Sequence, residues 1–399
     1  MTALACPYCY QIVDSRRLGH LCTGRGSPGL PGCSLRVDPQ RRERTGYGLP
    51  ARRFFSRPGR RRAAARLAAC PDCGGLSGLR ACPVCHTPLP HGFGQAASPL
   101  VAMVGAKGAG KTVYLTVLAH ELMGNLPRRF DVDVRLSGER HDVAGTSANW
   151  VSSYVEAIFS ERRLFPQTEA AGLSRREPVV FEWRAERRAL PGVRRTRSSY
   201  LSFYDTAGED LLGQDAVRDL RYLSCADALV VMLDSFSLAG ASRPGGVPEG
   251  AVVCEEPALE VLTRVTQLLR RSRALGEGTR IPIPIAVVLT KIDAFYDLLG
   301  ENHVVTRAAG AGPGYDEPAG RDLHEHLRAL LADWAGADLD AYLSRHYTTY
   351  RYFAVSALGA EPDYRRNLVD PGGVRPHRVA DPLLWLLSRC GVLPAGARR

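Results

Sequence analysis

The stretch Gly105-Ala106-Lys107-Gly108-Ala109-Gly110-Lys111-Thr112 reads G-x-x-x-x-G-K-T. Such spacing cradles phosphate only where a strand leads in and a helix leads out. Residues 99–104, Pro-Leu-Val-Ala-Met-Val, form a short apolar run suited to a buried strand. Residues 113–123 place Leu115, Leu118, Ala119 and Leu122 on one helical face. Strand, glycine loop and helix together aim backbone N–H groups and a helix N-terminus at an anion. Lys111 then reaches the β- and γ-phosphates, and the Thr112 hydroxyl ligates Mg²⁺. Val113 continues the helix and completes the candidate phosphate site.

Working outward, apolar strands alternate with helical stretches. Strands are expected over 178–183, 200–204, 228–233, 281–289 and 352–355, and helices over 255–275, 323–334 and 382–390. The expected class is α/β, Rossmann-like, with a mostly parallel sheet covered by helices on both faces. Three strands run into polar stretches: Asp205-Thr206-Ala207-Gly208-Glu209, Thr290-Lys291-Ile292-Asp293 and Ser356-Ala357-Leu358. Ligands of such folds bind at the carboxyl edge of the strands.

The rest of the chain is basic and cysteine-rich. Residues 1–98 carry fifteen arginines, no lysine and four acids, so the whole formal charge of +11 sits there. Only Lys107, Lys111 and Lys291 are lysines, all in nucleotide-type motifs, where a compact ammonium suits better than a planar guanidinium. Cys6-x-x-Cys9, Cys70-x-x-Cys73 and Cys82-x-x-Cys85 are knuckles that each present two thiolates to one ion. The last two, eight residues apart, read as one tetrahedral Zn²⁺ site. Cys6, Cys9 and Cys22 read as a second, completed by Cys33 or His20. Pairing across the two sets is the alternative. Cys225, Cys254 and Cys390 read as packed cysteines.

Residues 36–66 hold eleven arginines and Phe54-Phe55. A solvated loop is the favoured reading over a nucleic-acid patch, because no recognition helix or aromatic ladder accompanies the charge. Residues 86–98 read as a linker, which divides the chain into a Cys- and Arg-rich module at 1–97 and a P-loop domain at 98–399. With no membrane-length apolar run, no lipidation signal and no signal-peptide order at the start, the expected compartment is cytoplasmic.

The four stretches, in this order, resemble the TRAFAC-class GTPases, the group of the Ras-like and translation-factor GTPases. The resemblance implies a GTP- and GDP-binding domain with insertions before switch II and after Thr290-Lys291-Ile292-Asp293. Asp205 matches the switch II aspartate that holds Mg²⁺ through water, and Gly208 the glycine that senses the γ-phosphate. Asp293 ends the guanine-specificity motif, where one carboxylate accepts from both the ring N–H and the amino group. Ser356, Ala357 and Leu358 match the motif that closes over the base. Glu209 stands where many members have a water-orienting glutamine, which implies slow hydrolysis without a partner. Lys107 either lies over the γ-phosphate or points to solvent. Thr168 is the expected switch I ligand of Mg²⁺, with Thr146 and Thr196 as alternatives. Zinc knuckles before such a domain are similar to the bacterial double-GTPase group of conflict and signalling systems, which implies a partner GTPase or other effector protein. Two functions compete: a GTP-hydrolysing switch, and a slow or inactive nucleotide-gated scaffold whose zinc- and Arg-rich module binds nucleic acid or a partner protein.

Overall fold

The computed structural model describes residues 3–56, 67–90, 92–94, 96–137, 147–165, 178–190, 193–205, 216–239, 245–310, 312, 314–334 and 337–393. A seven-stranded sheet organises the larger part. In chain order its strands are β1 (Leu100–Gly105), β2 (Val132–Ser137), β3 (Val179–Leu190), β4 (Val193–Asp205), β5 (Ala228–Asp234), β6 (Ile285–Thr290) and β7 (Tyr350–Ala354). Their spatial order is β2-β3-β4-β1-β5-β6-β7. β4, β1, β5, β6 and β7 run parallel, whereas β2 and β3 pair antiparallel at one flank.

The central parallel strands β1, β5 and β6 are almost wholly apolar because both faces are covered. On β1, Val101 and Met103 face one core while Leu100, Ala102 and Val104 face the other. The first core takes Leu115, Leu118 and Leu122 of the helix Lys111–Met123 and Leu383–Leu387 of the helix Asp381–Arg389. The second takes Leu262, Val265 and Leu269 of the helix Ala258–Ser272 and Leu323, Leu327 and Leu331 of the helix Glu317–Asp333. The expected mixed α/β architecture is therefore present, with differences at its edges. β2 lies in the stretch expected to hold switch I and an insertion, and β3 and β4 are longer than expected, at twelve and thirteen residues. The helix expected from 323 starts at Glu317, because Asp316 caps it through the Ala319 N–H and a proline occupies its first turn.

The N-terminal module is built from short hairpins and a four-stranded antiparallel sheet of Pro88–Leu89, Arg80–Ala81, Gly19–Leu21 and Phe54–Phe55. It rests on the large sheet through the first knuckle. Tyr10, 2% exposed, lies in the second core with its ring 4.9 Å from that of Tyr222. Its carbonyl accepts from Cys225 Sγ at 3.1 Å, and Ser202 of β4 donates to the Pro7 carbonyl at 3.0 Å.

Candidate functional site

The phosphate-type loop leaves β1 at Gly105, where a side chain would strike the Met232 carbonyl at 2.7 Å. Gly108 (φ 83°) and Gly110 (φ 80°) take left-handed backbone angles that favour glycine. The helix Lys111–Met123 then starts with no side chain capping it, so its first amides face the loop. Lys111 is 8% exposed and folds back, its ammonium donating to the Gly105 and Ala106 carbonyls at 2.9 Å each. Thr112 is half-buried on the first turn, and Ala106 and Ala109 are buried beneath the loop. Lys107 is exposed.

The guanine-type motif leaves β6, two strands away on the same carboxyl edge. Thr290 turns its hydroxyl to the Leu233 carbonyl at 3.1 Å, a packing role. Lys291 adopts a left-handed φ of 56°, which is costly for a non-glycine residue. Its ammonium offsets that cost by donating to Asp234 Oδ2 at 3.0 Å and the Val252 carbonyl at 2.8 Å. Burial pushes the Asp293 carboxyl above the usual carboxylate range, opposed by the Ser356 hydroxyl and the charges of Lys291 and His377. Ser356 is fully buried just beyond β7 and accepts from the Gly359 N–H at 2.7 Å, which shapes the turn through the half-buried Ala357 and Leu358.

Asp205 ends β4 beside β1, with Met103 as its register partner, so its backbone reaches the same edge. Thr168, Gly208 and Glu209 lie outside the described residues, as does the alternative Thr146. Thr196 does not reach the edge. It is exposed opposite Glu186 in the β3–β4 hairpin, nine residues and about 30 Å of strand before Asp205.

Two residues at this edge escaped the motif reading. Asp234 ends β5 and is 2% exposed. It accepts from Lys291, from the Phe236 N–H at 3.1 Å and from the Cys254 N–H at 3.2 Å. Cys254, expected to be merely packed, also donates from Sγ to the Lys107 carbonyl at 3.1 Å. An acid at the end of a fully apolar strand was a legible signal for Asp234. Nothing local marks Cys254, whose contacts lie 20 and 147 residues away.

The six knuckle cysteines, with Cys22 and Cys33, form two quartets: Cys6, Cys9, Cys82 and Cys85, and Cys22, Cys33, Cys70 and Cys73. The expected single site of Cys70, Cys73, Cys82 and Cys85 is corrected, and the cross-set pairing holds. The cause is the antiparallel register of Arg80–Ala81 on Gly19–Leu21. It carries Cys82 toward the first hairpin and Cys22 toward the Cys70 knuckle. His20 is not a ligand: it meets Arg80 Nη1 at 3.0 Å and stacks on Phe55. The Cys6, Cys70 and Cys82 knuckles repeat one turn, in which Tyr10, Gly74 and His86 have φ of 58°, 67° and 58° and bond back to the first cysteine's carbonyl. Sulfur–sulfur separations of 3.4–3.8 Å fit a tetrahedral ion, since Zn–S bonds of about 2.3 Å place ligand sulfurs about 3.8 Å apart. Gly24 and Val84 N–H groups point at Cys22 and Cys82 Sγ at 3.3 and 3.4 Å, as thiolates require.

A profile of the Double-GTPase 2 family matches residues 99–333, which span β1 through the helix Glu317–Asp333. The putative ESX-1 scaffolding and assembly protein SaeC of Mycolicibacterium smegmatis is 30% identical over 336 residues, covering 78% of this chain and 80% of that one. Two crystal structures of SsGBP mutation variants align at 13% and 14% identity with TM-scores of 0.28 and 0.26. Each alignment covers 74% of this chain but only 57% or 58% of the other, too loose a likeness to carry any argument. The profile covers well over half of the sequence and includes both the phosphate loop and the Asp293 motif, so the chain belongs to the Double-GTPase 2 family.

Proposed function

We propose that this chain binds GTP with Mg²⁺, hydrolyses it to GDP and phosphate, and uses the difference as a switch read by a partner protein. The observation that supports this most is the shared carboxyl edge. The phosphate loop and the Asp293–Ser356 pair stand at its two ends, with Asp234 and Cys254 between them. The resemblance to TRAFAC-class GTPases is part of the same reading.

In this reading the amides of residues 106–112 hold the phosphate tail. Lys111 exchanges its two carbonyl partners for phosphate oxygens, and Asp293 accepts from the base. Asp234 keeps Lys291 extended along the base end. Thr112 and Asp205 would hold Mg²⁺, with Thr168 as the proposed third group, and the ion supplies charge neutralisation at the β- and γ-phosphates. Glu209 in place of a water-orienting glutamine makes unassisted turnover slow, and a partner then supplies the missing group. The two cysteine quartets hold structural Zn²⁺, one ion each.

A second reading has one observation in its favour. The mycobacterial relative bears the name of a scaffolding and assembly protein, and a nucleotide-gated scaffold would need binding but little turnover. Phosphate release separates the two. Many turnovers per chain, with or without an added partner GTPase, support the switch; tight GTP binding with no turnover under either condition supports the scaffold. Among the described residues no helix is long and apolar enough to cross a membrane.

A further inference from the structure

We propose that Cys254 is a positioning residue of the phosphate loop, holding the Lys107–Gly108 peptide in its nucleotide-binding orientation. The proposal rests on the nucleotide reading above and deepens it. A trans peptide is planar, so its C=O and N–H point in opposite directions. Cys254 Sγ donates to the Lys107 carbonyl at 3.1 Å, which turns the Gly108 N–H away from Cys254. The glycine at 108 can adopt many backbone states, and an unpinned peptide there would have to be ordered by each arriving ligand.

Cys254 is itself fixed. Its own N–H donates to Asp234 Oδ2 at 3.2 Å, and the same oxygen takes the Lys291 ammonium at 3.0 Å. One buried carboxylate therefore braces both the phosphate end and the base end of the edge. Cys254 is 7% exposed, and burial, reinforced by Asp234, pushes its thiol up to about 12, so it stays protonated and able to donate. The residues just before Cys254 are held as well: Gly250 has a left-handed φ of 85° and lies against the backbone of Tyr364 and Arg365, while Glu249 pairs with Arg365.

The test compares Cys254→Ala, which removes the donor, with Cys254→Ser, which keeps one. GDP and ADP affinities are measured for the full chain by calorimetry with Mg²⁺. Cys254→Ala is expected to bind GDP about three- to tenfold more weakly, the loss of one ordinary hydrogen bond, with the GDP-to-ADP ratio unchanged. Cys254→Ser is expected to stay within about twofold of wild type, because the donor remains. Should Cys254→Ala not fold, the isosteric pair Cys254→Val and Cys254→Thr carries the same contrast. Wild type that prefers GDP, with Ala and Ser variants bound equally tightly, overturns this inference and leaves the nucleotide reading standing. Equal wild-type affinity for GDP and ADP overturns the base assignment alone, and the variants are then read on either ligand. Wild type that binds neither overturns both.

Discussion

The two metal sites should differ sharply in what they support. Cys82→Ser removes a ligand from the quartet that belongs to a buried cluster with Val180 of β3 and Tyr200 of β4. Next to that quartet, Tyr10 enters the second core of the large sheet and Pro7 is tied to Ser202. Cys70→Ser removes a ligand from the other quartet, whose cluster holds Phe55, Ala68 and Cys33 and, among the described residues, none of the seven-stranded sheet. Structural zinc contributes about 10–16 kcal/mol to small domains, and losing one of four ligands should forfeit about 5 kcal/mol of that. A cooperative unit of roughly 300 residues unfolds with an entropy of about 0.6 kcal/mol/K, so each kcal/mol lowers Tm by about 1.6 °C. Cys82→Ser should therefore lower the main transition by about 8 °C, and Cys70→Ser by less than about 2 °C. Elemental analysis should give two zinc ions per wild-type chain and one in each variant. Differential scanning calorimetry reads the asymmetry. Equal shifts would refute the claim that the first knuckle is built into the sheet, and zinc-free wild type with an unchanged Tm would refute metal binding altogether.

Other predictions concern the edge itself. Asp293→Asn should weaken GDP binding by about 3–5 kcal/mol, since two hydrogen bonds to a charged acceptor are lost or reversed, and should favour xanthosine diphosphate in a competition assay. Its Tm without ligand should not fall, because a buried charge is removed, which differential scanning fluorimetry checks. The raised Asp293 pKa sets a pH sign: the ligand-free fold is favoured by protonation and that contribution is lost as pH rises through the folded pKa. Guanine binding needs the ionised form, so affinity for guanosine should fall on acidification at a higher pH than for an ordinary carboxylate, and Asp293→Asn should abolish that dependence. Tyr10→Ala should cost about 3–5 kcal/mol, the usual loss for a buried aromatic, measured by urea unfolding.

What the sequence made legible follows from how local each signal is. The loop at 105–112 and the Asp293 and Ser356 motifs are contiguous, and each lies at the end of a strand whose apolar run is plain. β2 was legible, since Val-Asp-Val-Arg-Leu-Ser alternates strictly between apolar and polar residues, but it was passed over because it lies in a stretch longer than the motifs require. The outer halves of β3 and β4 were hidden by their arginines, which are poor strand signals and read as loop. The cysteine pairing depends on strand register inside the module, which no spacing encodes. Asp234 was legible as an acid closing a fully apolar strand, whereas Cys254 matters through contacts with distant segments, which leave no trace in a window of sequence.

The central claim is that a guanine nucleotide spans the edge from the phosphate loop to Asp293. Titration of the purified full chain with GDP and with ADP in the presence of Mg²⁺, followed by calorimetry, tests it most directly. The account predicts binding of GDP at least a hundredfold tighter than ADP, from two hydrogen bonds to Asp293 that adenine cannot make. Equal affinity for the two, or binding of neither, would contradict it.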